Sequence, residues 1–88
     1  MAEGGAPVIV ISPFYCGDDI WGRSAATKWR DAIEEVCLEL SLPNVTYVNG
    51  LDLLGDASLL SADEVHPSIF GTRAIAERLL PIVKRVAQ

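Results

Sequence analysis

Val8-Ile9-Val10-Ile11 is a run of four β-branched residues closed by Ser12-Pro13. Such side chains crowd a helix and fit a pleated strand, and a run without polar alternation reads as a strand buried on both faces, the habit of parallel sheets. A second strand is predicted at Val45–Val48 (VTYV), ended by Asn49-Gly50. Between them, from about Arg23 to Ser41, apolar residues recur at Ala25, Ala26, Trp29, Ala32, Ile33, Val36, Cys37 and Leu40, which is one face of an amphipathic helix. Arg30, Asp31, Glu34, Glu35 and Glu39 fall on its far side, expected to be a solvated face, and Pro43-Asn44 stops it. Strand, helix and strand in this order form a right-handed βαβ unit of a parallel sheet.

The rest of the chain follows the same logic. Phe14–Gly22, holding Gly17, Asp18, Asp19 and Gly22, reads as a loop. Leu51–Leu60 is leucine-rich and irregular, with a helical turn expected inside it. From about Ser68 a last helix is apolar at Ile69, Ala74, Ile75, Leu79, Ile82, Val83 and Val86. Pro81 lies inside that pattern and is expected to kink the helix or end its regular part. Two short parallel strands cannot cover VIVI on both edges and both faces. Residues 1–88 are therefore expected to be an incomplete domain, or one completed by another chain, with 1–6 a frayed start.

Charge and cysteine usage exclude several classes of function. Seven basic residues against 12 acidic ones give a net charge of −5, with no basic patch to neutralise nucleic-acid phosphates. An acidic surface is repelled by anionic membranes, and no stretch approaches a transmembrane span. The start has no basic region, and its apolar run Ala6–Ile11 contains a proline, so it is not a signal peptide and the chain as it stands is expected to be cytoplasmic. Cys16 and Cys37 sit in no metal-ligand spacing; Cys37 falls on the apolar helix face and Cys16 in a loop.

The chemistry-bearing segment is Ser61-Ala62-Asp63-Glu64-Val65-His66-Pro67-Ser68, which holds the single histidine. A turn at the Asp63–His66 spacing can bring the carboxylate to the Nδ1–H of the imidazole, fixing its tautomer and leaving Nε2 as a general base. The same four residues also fit an Asx-turn followed by a surface histidine. Pro67 restricts the backbone of His66 and pre-sets the first helical turn. Asp63-x-x-His66-Pro67-Ser68-x-x-Gly71, followed by Ala74-Ile75-Ala76, resembles the last motif block of the SGNH (GDSL-type) ester hydrolases. The order of the upstream strand, helix and Asn49-Gly50-Leu51-Asp52 segment agrees, so the resemblance runs from about Pro7 to Val86, with its specific content in Asp63, His66, Pro67 and Gly71. It implies the C-terminal βαβ-α portion of a three-layer α/β/α, flavodoxin-like SGNH fold with a parallel sheet. It further implies Asp63 as the orienter of the base, His66 as the base, and Gly71 as a site of close helix packing. Family members hydrolyse acyl esters and thioesters of small molecules, carbohydrates and lipids without a metal or organic cofactor.

The departure from the family pattern bears on activity. Its nucleophile lies in a Gly-Asp-Ser motif and its oxyanion donors in an earlier glycine and a Gly-x-Asn asparagine; none of these is found in residues 1–88, and Gly17-Asp18-Asp19 has the wrong third residue. Ser12 precedes a proline and lacks a nucleophile elbow, Ser24, Ser41 and Ser58 read as cap or loop residues, and of Ser61 and Ser68, which lie near His66, Ser68 reads as an N-terminal helix residue. Asp63 and His66 without a nucleophile are expected to be inactive alone. Two rival readings remain. One is a non-catalytic interaction module, self-associating or adding a strand at the open edge beside VIVI. The other is a small cation-binding domain using Asp18, Asp19, Asp52, Asp56, Asp63 and Glu64, whose spacing matches no EF-hand or zinc pattern. Trp21, in a loop after a strand, is a candidate for lining a substrate cleft, and Trp29 reads as a packing residue.

Overall fold

The computed structural model describes residues 6–87. Strands β1 (Val8–Ile11) and β2 (Val45–Val48) pair in parallel, with Val8 opposite Val45 and Ile11 opposite Val48. Helix α2 (Ala25–Leu40) makes the crossover between them, after the single-turn helix α1 (Gly17–Ile20). The short α3 (Gly50–Leu53), a 3-10 turn (Ala57–Leu59) and the long α4 (Ile69–Val86) follow. The molecule is thus mixed α/β around a two-stranded parallel sheet. The expected frayed start falls on residues 1–5, outside the described residues, except for Ala6, whose carbonyl accepts a hydrogen bond from Asn44 Nδ2 at 2.9 Å.

Two expectations are corrected. Phe14–Gly22 is not all loop, because Asp19 reaches back to accept the Cys16 N–H at 3.0 Å and closes the turn of α1. Arg30 is not on a solvated face: it is buried, and it forks across the Asp19 carboxylate at 2.7 and 2.6 Å while donating to the carbonyls of Pro13 (2.8 Å) and Phe14 (2.6 Å). Four of its five N–H groups are thereby used, which is what burying a guanidinium requires. Of the two outcomes expected at Pro81, an end to the helix does not occur, since α4 runs on to Val86. The proline is exposed on α4, so the carbonyl it leaves unbonded in the preceding turn is open to water.

The β1 run matches its predicted bounds, but neither face is fully covered. Val8 is exposed and Ile9, Val10 and Ile11 are half-buried. The buried apolar residues among those described are Val48, Leu53 and Leu54, where β2 turns into α3, and Ala26 on α2. Trp29, Val36 and Leu40 on α2, and Ile69 and Phe70 on α4, stand in solvent. The Cα trace measures 46 × 26 × 14 Å with a radius of gyration of 14.4 Å, against about 12 Å for a compact chain of this length. It is flat for its size. Among the described residues, no helix is long and apolar enough to cross a membrane.

Candidate functional site

The end of β2 fixes the frame of the site. Ser12, just past β1, is buried, and its Oγ accepts from the Gly50 N–H (2.9 Å) and from Tyr47 Oη–H (3.0 Å). A Cβ at Gly50 would overlap the Ser12 and Pro13 carbonyls, so the chain can turn into α3 at this depth only with glycine there. Ser12 is therefore a tie between the strand ends. Leu53 and Leu54 seat α3, and Arg78 of α4 donates to the Leu53 carbonyl at 3.0 Å.

The start of α4 is held as firmly. Ser68 caps it, its Oγ accepting from the Gly71 N–H at 3.1 Å and donating to the Leu59 carbonyl at 3.0 Å. A Cβ at Gly71 would overlap that Leu59 carbonyl, so glycine lets α4 close on the 3-10 turn. Leu60 and Pro67 form an isolated antiparallel bridge, which pinches residues 61–66 into a loop between them.

That loop brings Asp63 and His66 together. His66 Nδ1 lies 2.6 Å from Asp63 Oδ2. Asp63 Oδ1 accepts the backbone N–H groups of Val65 (2.9 Å) and His66 (3.0 Å), with the Ser61 hydroxyl also at 2.9 Å. The Asx-turn and the carboxylate–imidazole pair, alternatives on the sequence, thus occur together and use different oxygens of one side chain. The bonds from His66, Val65 and Ser61 hold the Asp63 carboxyl well below the usual carboxylate range. An ionised carboxylate only accepts, so the ring nitrogen facing it, Nδ1, is the one that donates. Nε2 makes no hydrogen bond among the described residues, and both side chains are largely exposed.

Neither nearby serine serves Nε2. Ser61 Oγ lies 2.9 Å from both Asp63 Oδ1 and the His66 carbonyl, and Ser68 is committed to its cap. A feature with no sequence signal is the mooring of the loop by Glu64. Its backbone is left-handed (φ +60°), its carbonyl accepts the Gly17 N–H at 2.7 Å, and its side chain accepts Trp21 Nε1–H at 3.0 Å. Trp21 is otherwise exposed, so the candidate cleft residue acts as a strut for the site loop. Between loop and α1 lies a cleft of about 260 Å³ lined by Cys16, Gly17, Asp18, Arg23, Asp63, Glu64 and Val65.

The other carboxylates are dispersed. Asp19 is bound to Arg30, Asp18 faces Arg23 at 3.7 Å, and Asp56 accepts the Ser58 N–H. Among the described residues no group of three His, Cys, Asp or Glu side chains is placed to hold a metal. Cys16 Sγ contacts Asp19 Oδ2 at 3.6 Å, and Cys37 lines an apolar groove beside α2. Comparison of the chain with protein-family models, with curated proteins and with solved structures found no match.

Proposed function

We propose that this chain carries the acid–base half of an SGNH-type serine ester hydrolase, with Asp63 orienting His66 and His66 as the general base. The supporting observation is the 2.6 Å Nδ1–Oδ2 contact, made by a carboxylate whose other oxygen is tied to the loop backbone. In the reaction, Nε2 takes the proton of a serine hydroxyl as that oxygen attacks the acyl carbon. The imidazolium is stabilised by Asp63 and returns the proton to the departing alcohol or thiol. The serine and the oxyanion donors come from a polypeptide segment outside residues 1–88, seated over the exposed pair and the neighbouring apolar Val65, Ile69 and Phe70. Such cover would strengthen the Asp63–His66 bond by excluding water. The substrate class is an acyl ester or thioester of a small molecule, carbohydrate or lipid.

A second reading, the interaction module, is favoured by the open outer edges of β1 and β2 among the described residues. It needs no role for His66, and this separates the two. Purified alone, the chain should hydrolyse an aryl ester no faster than background. Assembled with an SGNH segment bearing the Gly-Asp-Ser and Gly-x-Asn motifs, it should gain esterase activity that His66→Ala lowers by about 10³–10⁴-fold. Turnover by the chain alone that survives His66→Ala, or an assembled esterase indifferent to that change, overturns the reading.

A further inference from the structure

Helix α2 carries a wider apolar stripe than its own strands can use. One side of it, Ala26 with Arg30, is buried, and Ile33 and Cys37 beside them are half-buried at the inner wall of an open groove. The other side, Trp29, Ala32, Val36 and Leu40, forms the outer wall of this groove of about 390 Å³, which Val10, Leu42 and Val45 close on the sheet side, and Trp29 and Leu40 are 65% and 60% exposed. Lys28 and Glu39 flank this stripe on the same rim, about 20° apart around the helix and about three turns apart along it. Both are exposed, and neither makes an ion pair among the described residues.

We propose that this face binds a second copy of the chain, α2 against α2, antiparallel about a two-fold axis. Charge placement selects that occupant and that direction. A two-fold axis across the middle of the stripe carries Lys28 of one copy onto Glu39 of the other, and the reverse, giving two symmetric ion pairs on one rim. Glu35 lies about 20° beyond Lys28 on the same rim and one turn from Glu39, so it adds to the acidic side that the other copy's Lys28 meets. A parallel two-fold arrangement would put the Lys28–Glu39 rims of the two copies on opposite sides of the contact, so neither pair would form. Ala32 opposite Val36 near the axis lets the helices approach, and each Trp29 ring lies over the other copy's Leu40. The inference is independent of the role of Asp63 and His66.

The test is sedimentation equilibrium of the full chain over a wide concentration range, with circular dichroism confirming that each variant is folded. Wild type should be a dimer whose dissociation constant rises with salt. Val36→Glu, an exposed position, should abolish it. Lys28→Glu should weaken it by about tenfold or more, and the double change Lys28→Glu/Glu39→Lys should restore it, because the pairs are re-formed with reversed sign. A monomer at every concentration overturns the proposal and leaves the face to a different polypeptide. A dimer unaffected by Lys28→Glu, or not rescued by the charge swap, overturns the antiparallel α2 geometry.

Discussion

Asp63 shows how much one side chain can organise when both its oxygens are committed. One oxygen shapes the loop through the Val65 and His66 N–H groups, and the other holds the imidazole. The depressed carboxyl pKa of Asp63, and that of Asp19 beside Arg30, mean that the folded chain binds fewer protons than the unfolded one in acid. Their stabilisation is complete above the unfolded carboxyl pKa of about 4 and is lost as pH falls from there through the folded values. Asp63→Asn removes one of these two contributions without disturbing a buried group. The variant should therefore be less stable than wild type at neutral pH, with the gap closing as pH falls below about 4. Urea midpoints measured across that range check this; a gap that stays constant with pH would show that Asp63 acts only through its shape.

The elements themselves were largely legible. β1, α2, β2 and α4 announce themselves by β-branched runs, 3.6-residue periodicity and stop signals, all of which are local. What stayed hidden depends on distant partners. Arg30 reads as a solvent residue because its charge is visible in the sequence, whereas Asp19 and the Pro13 and Phe14 carbonyls that accept it are set by the fold. The Glu64 strut is hidden for the same reason, since Gly17 and Trp21 lie far away along the chain. In the site, Asp63 and His66 could be paired from sequence because a single turn joins them, while their mooring could not. Arg30 matters at the scale of elements: it fastens α2 to α1 and to the exit of β1. Arg30→Ala would leave Asp19 without its counter-charge in a mostly dry position and should cost about 3–5 kcal/mol. Loss of the helical circular dichroism signal in the isolated chain is the expected outcome, and a folded variant of near wild-type stability would show that water replaces the guanidinium.

On the scale of the whole molecule, local order and global burial part company. Caps, glycine contacts and the Arg30 fork are each well made, and among the described residues no buried side-chain polar atom lacks a partner. Yet fully buried apolar side chains are confined to the junction of β2 and α3, and the trace is flat. Denaturant sensitivity scales with the surface that unfolding exposes, so a thin molecule has less to expose. The monomeric chain should unfold in urea with an m-value at or below about 1 kcal/mol/M, the low end for small domains, and with a stability under about 5 kcal/mol. If a second copy covers α2, the midpoint must also rise with protein concentration, because the dimer binds only the folded state. Val36→Glu separates the two effects. It should abolish the concentration dependence while leaving the shallow slope in place, since the slope belongs to the single chain and the dependence to the interface. A steep, concentration-independent transition in wild type would mean that the α2 face is already covered within the monomer.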